Sequence, residues 1–303
     1  MQDFTNYLSN NPDFFVGVVF LFGLMFGSFF NVVIYRVPVM MKLEWLQNAR
    51  DFLQELLHLE KLPAEVEQHP KDLPKPPFNL VTPNSTCPHC GHGIRWYENI
   101  PVISYAFLRG KCSQCKTRIS PRYPIIELVT GLLSAFVAWR FGFSWETAAV
   151  LVFTWCLICL TMIDFDHKLL PDQLTLPLMW LGILVNMNGM FVSLEQAVLG
   201  AVVGYLSLWS IYWLFKLLTG KEGMGYGDFK LLAALCAWMG WQALPLIILL
   251  SSLVGSVVGI SLIIIKGRDR NIPIPFGPYL AAAGWIAFFW GDAIIRYYQH
   301  NFT

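Results

Sequence analysis

The chain has 303 residues, of which 55% are hydrophobic, 15% aromatic and 14% charged. Because soluble globular domains carry about a quarter charged residues, this composition excludes an ordinary soluble domain and indicates residence in a membrane. The formal net charge of +1 gives no sign of a nucleic-acid binder.

Apolar segments recur that are long enough to cross a bilayer core of about 30 Å, which takes about 20 helical residues. The clearest are Phe14–Tyr35, Tyr123–Trp139, Thr147–Ile163, Leu174–Val192, Ala197–Phe215 and Ile274–Ile295. Between the last two, Leu231–Ile265 has no charged residue and fits two spans with a break near Gly240–Pro245. The sequence therefore predicts an all-α polytopic membrane protein with about eight transmembrane helices.

The positive charges support this count. With the N-terminus outside, the segments 36–122, 164–173, 216–230 and 266–273 face the cytosol and hold 19 of the 21 Lys and Arg residues. This distribution follows the positive-inside rule. We expect a multi-pass protein of the cell inner membrane, in contact with the lipid bilayer, with a periplasmic N-terminus.

Three regions follow from this topology. Residues 1–36 form an outward tail and the first transmembrane helix, residues 37–122 form one cytosolic insertion, and residues 123–303 form a bundle of seven helices. Within the insertion, Lys42–Leu59 has the spacing of an amphipathic helix. Residues 63–83 are rich in proline and indicate an extended connector.

Four of the seven cysteines form two CxxC pairs in the insertion. Cys87 and Cys90 are separated from Cys112 and Cys115 by 21 residues. Each pair can turn back so that two thiolates face one ion, and two pairs complete a tetrahedral site. Reducing conditions in the cytosol disfavour disulfides. We therefore expect a structural Zn²⁺ with four cysteine ligands and no coordination position open for catalysis.

Two acidic motifs lie at the predicted cytosolic boundary, where ionisable side chains are costly and often functional. Asp164 directly follows the third span, and Asp228 follows Gly225-Tyr226-Gly227 at the start of the sixth. Paired carboxyl groups suit peptide hydrolysis by water, since like charges held close cannot both ionise. Asp164 adjoins the apolar segment more closely than Asp166 or Asp172, so we expect Asp164 and Asp228 to be the catalytic pair. Alternatively, all of these acids are helix caps or solvated loop charges.

On these residues the chain resembles the bifunctional type IV prepilin peptidases, over nearly its full length. The matching motifs are Gly27–Arg36, the two CxxC pairs, Arg122-Tyr123-Pro124 with Glu127, Asp164–Asp172 and Gly225–Asp228. The resemblance implies an aspartic protease of the GxGD type with Asp164 and Asp228 as its catalytic pair. Its substrates would be prepilins and type II secretion pseudopilins, which lose a basic leader after a glycine on the cytosolic face.

The resemblance also implies that S-adenosylmethionine serves to methylate the new N-terminal residue. No glycine-rich nucleotide motif in 37–122 shows independently where this donor binds. The roles of Glu127 and Asn31 stay open: Glu127 is explained either by its helix N-terminus or by contact with substrate. Two other functions compete with the protease, an ion-coupled transporter with a regulatory zinc domain and a non-enzymatic scaffold of a secretion machine.

Overall fold

The computed structural model describes residues 2–58, 63, 70, 73–74, 77–266 and 274–302. Ten α-helices lie in this part of the chain, connected in places by short 3-10 helices. They are α1 (Gln2–Asn10), α2 (Pro12–Leu56), α3 (Ile103–Phe107), α4 (Arg122–Phe141), α5 (Trp145–His167), α6 (Asp172–Val185), α7 (Leu194–Thr219), α8 (Tyr226–Met239), α9 (Leu244–Lys266) and α10 (Gly277–Phe302). Two isolated bridges are the only β-pairing in the described ranges. The predicted all-α class is confirmed.

The helix boundaries differ from the prediction at the first span. α2 is continuous over 45 residues and passes through Pro38, so the expected amphipathic helix from Lys42 is its continuation and not a separate element. The boundary predicted between residues 36 and 37 therefore lies inside a helix. Leu59 and residues 64–69, 71–72 and 75–76 of the proline-rich connector lie outside the described residues.

Residues 1–143 and 144–303 form two compact units. In the first unit α2 packs against α4 with the backbones in close approach. A Cβ on Gly27 would lie 2.7 Å from the Cα of Glu127, and one on Gly23 would lie 2.9 Å from the Cα of Gly131. Membrane helices have no hydrophobic driving force for association, and small residues at such crossings let their backbones pack closely.

In the second unit α8 is the innermost helix, and Leu231–Trp238 are all buried. α7 lies against it through Gly200 and Gly204, where an added Cβ would meet the backbone of α8. On another side, the Trp238 indole donates a hydrogen bond of 2.9 Å to the Leu178 carbonyl oxygen in α6. The central position of α8 fixes where its first turn, which carries Asp228, lies.

Six helical segments of the described chain are long and apolar enough to cross a membrane, which supports a multi-pass membrane protein. They are Pro12–Leu56, Arg122–Phe141, Trp145–His167, Leu194–Thr219, Trp241–Ser261 and Gly277–Tyr298. The two other expected spans correspond to α6 and α8, with 14 residues each. At 1.5 Å per residue each is about 21 Å long, shorter than a bilayer core. The predicted break at Gly240–Pro245 is present, but the count of eight spans stays a prediction.

Candidate active site and candidate metal centre

The two cysteine pairs adopt the same backbone turn. The Cys87 amide donates to the His92 carbonyl oxygen at 2.8 Å, and the Cys112 amide donates to the Thr117 carbonyl oxygen, also at 2.8 Å. Isolated bridges flank the turns at equivalent positions, Thr86 with Gly93 and Lys111 with Arg118. The local sequence therefore folds each pair into a loop that presents two sulfur atoms on one side.

The four sulfur atoms converge on one point. The Sγ atoms of Cys87, Cys90, Cys112 and Cys115 all lie within 4.8 Å of one another, and those of Cys87 and Cys115 are 3.8 Å apart. Zinc–sulfur bonds of about 2.3 Å in a tetrahedron place the sulfur atoms about 3.8 Å apart. This spacing and the four-sulfur donor set fit a tetrahedral metal ion, so the structure brings together all four predicted ligands.

The surroundings of two cysteines favour the thiolate form that a metal requires. The backbone amides of Cys90 and His89 lower the pKa of the Cys87 thiol. The Thr117 hydroxyl and backbone amide lower the pKa of the Cys115 thiol in the same way. The loops therefore prepare two of the ligands through hydrogen bonds of their own.

Glu98 connects the two cysteine loops. Its Oε2 accepts the Arg95 amide at 2.9 Å and lies 3.2 Å from His92 Nε2, next to the first pair. The Ser113 hydroxyl, from the second pair, also hydrogen-bonds to it, and these contacts, led by the Arg95 amide, lower the pKa of Glu98 to about 2. An ionised carboxylate thus links both loops at physiological pH. No sequence pattern predicts this role, because Glu98 lies outside the CxxC motifs.

The two predicted aspartates come together in the second unit. Asp164 lies in the last turn of α5 and is 5% exposed, and Asp228 lies in the first turn of α8 and is 7% exposed. Their carboxyl groups are close enough for their charges to interact, and the Gly225 amide bonds to that of Asp228. The packing of α6 and α7 around α8 thus brings together two aspartates that are separated by 63 residues in sequence.

A third element completes this site. Gly277, the first residue of α10, donates its backbone N–H to Asp164 Oδ2 at 3.0 Å. A Cβ at Gly277 would lie 2.7 Å from the same oxygen, and a Cβ at Gly227 would lie 2.7 Å from Leu170 Cβ. Only glycine allows the starts of α8 and α10 to approach the Asp164–Asp172 segment this closely. No sequence pattern predicts the role of Gly277, because its contribution comes from a backbone amide and not from a side chain.

The remaining acids of the motif are placed differently. Asp166 is exposed. Asp172 does not cap a helix: Pro171 is the N-cap of α6, and Asp172 is its first residue. Both Asp172 carboxylate oxygens instead accept hydrogen bonds of 2.7 Å from Lys230 Nζ, two residues beyond Asp228. This ion pair connects the start of α6 to the start of α8.

Glu127 and Asn31 lie on the helix pair of the first unit. Glu127 is 8% exposed and accepts the Val102 amide at 2.7 Å through Oε2. This partner lies outside the helix that carries Glu127, so the N-terminus of that helix is not what binds the side chain. Asn31 Nδ2 donates to the carbonyl oxygens of Gly27, at 3.2 Å, and Tyr123, at 3.3 Å, and so joins α2 to the start of α4.

Comparison with known proteins adds the family. A model of the bacterial peptidase A24 N-terminal domain matches residues 21–141, and a model of the type IV leader peptidase family matches residues 151–260. A protein of Stutzerimonas stutzeri named prepilin leader peptidase/N-methyltransferase is 57% identical over 292 residues, 96% of each chain. The chain belongs to the type IV leader peptidase family. Its cysteine centre lies in the part matched by the N-terminal domain, and both aspartates lie in the part matched by the peptidase.

Other relatives with the same name are similar over nearly the whole chain. One from Pseudomonas aeruginosa is 56% identical over 293 residues, 97% of this chain and 96% of its own. Another from Aeromonas hydrophila is 55% identical over 293 residues, 96% of each chain. No solved structure shows significant similarity to the chain. Family membership therefore rests on sequence, and the geometry of both sites agrees with it.

Proposed function

We propose that this chain is a bifunctional enzyme that removes the leader of type IV prepilins and then methylates the new N-terminal residue. The observation that carries the proposal is the meeting of two buried carboxyl groups, Asp164 and Asp228, in a chain of the leader peptidase family. Relatives that match almost the whole chain bear the name of both activities.

The aspartate site supports hydrolysis by a water molecule. One carboxylate takes a proton from water as the oxygen attacks the peptide carbonyl, and the other carboxyl group, protonated, donates to the carbonyl oxygen. The first carboxyl group then passes the proton that it took to the amide nitrogen, and collapse of the tetrahedral intermediate breaks the C–N bond and releases the leader and the new amine. The Gly277 amide orients Asp164, and the Lys230–Asp172 ion pair holds the neighbouring helix starts. The glycines beside Asp228 leave room for an extended substrate backbone.

The metal of the cysteine centre is zinc in this proposal, with Cys87, Cys90, Cys112 and Cys115 as its ligands. Four thiolates fill a tetrahedron, so the ion stabilises the fold of the two loops and leaves no open position for substrate. S-adenosylmethionine supplies the methyl group that is transferred. Residues 1–36 and 37–122 then supply the methyl-transfer site, and residues 123–303 supply both catalytic aspartates.

The enzyme resides in the cell inner membrane, with a periplasmic N-terminus and both sites on the cytosolic side. The distribution of Lys and Arg supports this orientation, because 19 of the 21 lie in segments assigned to the cytosol. Prepilins and type II secretion pseudopilins, whose basic leaders stay in the cytosol, are its substrates.

Mass spectrometry of a reconstituted reaction tests the proposal. Purified protein in lipid vesicles receives a model prepilin with a basic leader, Gly before the cut and Phe after it, together with S-adenosylmethionine. The expected product has lost its leader and gained one methyl group, and the double variant Asp164→Asn with Asp228→Asn leaves the prepilin intact. A folded wild-type protein that cleaves no prepilin would return the transporter and scaffold functions, for which no comparison offers support.

A further inference from the structure

Val102, between the two cysteine pairs, has an unusual backbone conformation. Its φ is 61° and its ψ is −46°, a region that β-branched residues rarely enter. The Ile103 amide donates to the Pro101 carbonyl oxygen at 2.5 Å across it. This three-residue turn is a γ-turn of the rare, positive-φ type, which is strained. Such strain persists only where the surroundings impose it, often at functional sites.

The side chain of Glu127 holds this turn. Its Oε2 accepts the Val102 amide at 2.7 Å, and the Ser28 hydroxyl of α2 also bonds to the carboxyl group. Gly27 lets α2 approach the Glu127 backbone closely enough for this contact. A buried carboxyl group near the start of α4 thus fixes the backbone of a loop outside the helix.

The turn sets the direction of α3, which begins at the next residue. α3 forms one wall of a cavity of about 770 Å³ in the first unit, and the first cysteine loop with the 3-10 helix Trp96–Asn99 forms another. Ser113 and Gln114, between the ligands of the second pair, also line it. The cavity volume lies within the range of about 300–1,000 Å³ that small-molecule sites occupy.

The cavity lining suits a sulfonium methyl donor. Phe107 of α3 is 84% exposed and Tyr97 is 44% exposed, so both present aromatic faces that can stack on adenine or contact a cation. Glu98 offers an ionised carboxylate to positive charge, and Arg95, which donates to the Tyr97 hydroxyl at 2.5 Å, offers a guanidinium group to a carboxylate. S-adenosylmethionine carries groups that match these side chains: an adenine ring for the aromatic faces, sulfonium and ammonium cations for the aromatic rings and Glu98, and a carboxylate for Arg95.

We propose that this cavity binds the methyl donor and that Glu127 is a positioning residue that holds its α3 wall through the turn at Val102. The inference rests on the proposed methyl transfer and adds the site and the residue that shapes it. Glu127 touches neither donor nor acceptor, and acts through the backbone of Val102.

The cavity assignment is tested by measuring, with calorimetry, the affinity of the full chain in lipid nanodiscs for S-adenosylhomocysteine. Phe107→Ala is expected to weaken binding about tenfold, since a lost aromatic contact of this kind changes affinity by that order. Phe52→Ala removes another exposed phenylalanine, which lies in α2 and outside the cavity lining, and this variant should bind like wild type. Wild-type affinity in Phe107→Ala and in Tyr97→Ala would overturn the assignment.

The role of Glu127 is tested by a rescue series. Glu127→Leu should weaken S-adenosylhomocysteine binding about tenfold, and Glu127→Gln, which keeps a neutral acceptor, should weaken it less. Adding Val102→Gly should recover most of the loss, because glycine adopts positive φ without penalty. Val102→Ala is the matched control: it shortens the side chain but keeps the Cβ, so it should not rescue. Equal rescue by both changes would contradict a role through backbone conformation.

Hydrogen exchange separates failure of this inference from failure of the proposed function. In Glu127→Leu the amides of 102–108 should exchange faster than in wild type, with metal content unchanged, whereas exposed Glu195→Gln should change neither. Unchanged exchange would overturn the positioning role even in an active enzyme. If wild type cleaves and methylates while every cavity variant binds normally, the inference fails alone. If wild type neither binds the analogue nor methylates, the proposed methyl transfer fails with it.

Discussion

The cysteine centre and the aspartate site are built in different ways. Each cysteine pair is shaped by hydrogen bonds within a few residues of itself, and Cys90 is exposed to solvent. Asp164 and Asp228 instead stand at the ends of helices that are remote in sequence, and both are buried. The first site therefore depends on local turns and on the metal ion proposed for it, whereas the second depends on helix packing.

This difference predicts which changes each site tolerates. A centre made of local turns should fail when a ligand is lost, because the metal ion, helped by the Glu98 carboxylate, holds the two loops together. A site made by helix ends should keep its geometry when a charge is removed but lose it when a close backbone approach is blocked. The predictions below apply these two kinds of change to the two sites.

Loss of a metal ligand should have the largest effect on the cysteine centre. Cys112→Ser removes the buried member of the four, and structural zinc supplies about 10–16 kcal/mol of apparent binding energy to small sites. We expect bound metal to fall from one ion per chain to none, measured by elemental analysis. Cys236→Ser, in the core of α8, is the comparison and should keep its ion. Full metal content in Cys112→Ser would show that this cysteine is not a ligand.

A methyl group at Gly277 should damage the aspartate site next. Gly277→Ala places a Cβ against Asp164 Oδ2, at 2.7 Å in the present geometry. A displacement of about 1 Å can cost about 100-fold in rate, so we expect cleavage of a model prepilin to slow by about that factor. Gly291→Ala, in the same helix, meets its nearest neighbour at 3.6 Å and should cleave normally. Equal rates for both variants would remove Gly277 from the site.

Neutralising Glu98 should weaken the metal centre without abolishing it. Glu98→Gln keeps the shape of the side chain but loses the charge that links the two loops, and such outer partners are worth about 10–100-fold in metal affinity. Competition with a zinc-binding dye measures the change. The exposed Glu44→Gln serves as control. Unaltered affinity would mean that the loops hold their geometry without the Glu98 charge.

The smallest expected effect distinguishes the two cysteine loops from each other. Gly91 and Lys116 occupy equivalent places after their cysteines, with φ of 71° and 60°. Because a left-handed conformation costs a non-glycine residue about 1–2 kcal/mol, Gly91→Ala should lower the free energy of unfolding and Lys116→Gly should raise it by about 1 kcal/mol. Denaturant unfolding of the metal-loaded protein measures both. Shifts of the same sign would contradict the equivalence.

Much of this architecture is predictable because its signals are local. The two CxxC pairs lie close in sequence, so their spacing alone identifies four ligands. The aspartates were found because charge is rare beside apolar spans. In contrast, no pattern shows that α2 continues through Pro38, since a proline usually ends a helix. The sequence marks Glu127 as an acid near the start of an apolar span, but it does not predict the contact with the Val102 amide, because a backbone partner has no sequence signature.

The central claim is that Asp164 and Asp228 form the cleavage centre while the cysteine centre stays intact without them. Its most direct test measures metal content and prepilin cleavage on the same preparations of wild type, Asp164→Asn and Asp228→Asn. We predict one metal ion per chain in all three proteins and cleavage by wild type alone, with each variant slowed at least about 1,000-fold. Cleavage near the wild-type rate by either metal-loaded variant would contradict the claim.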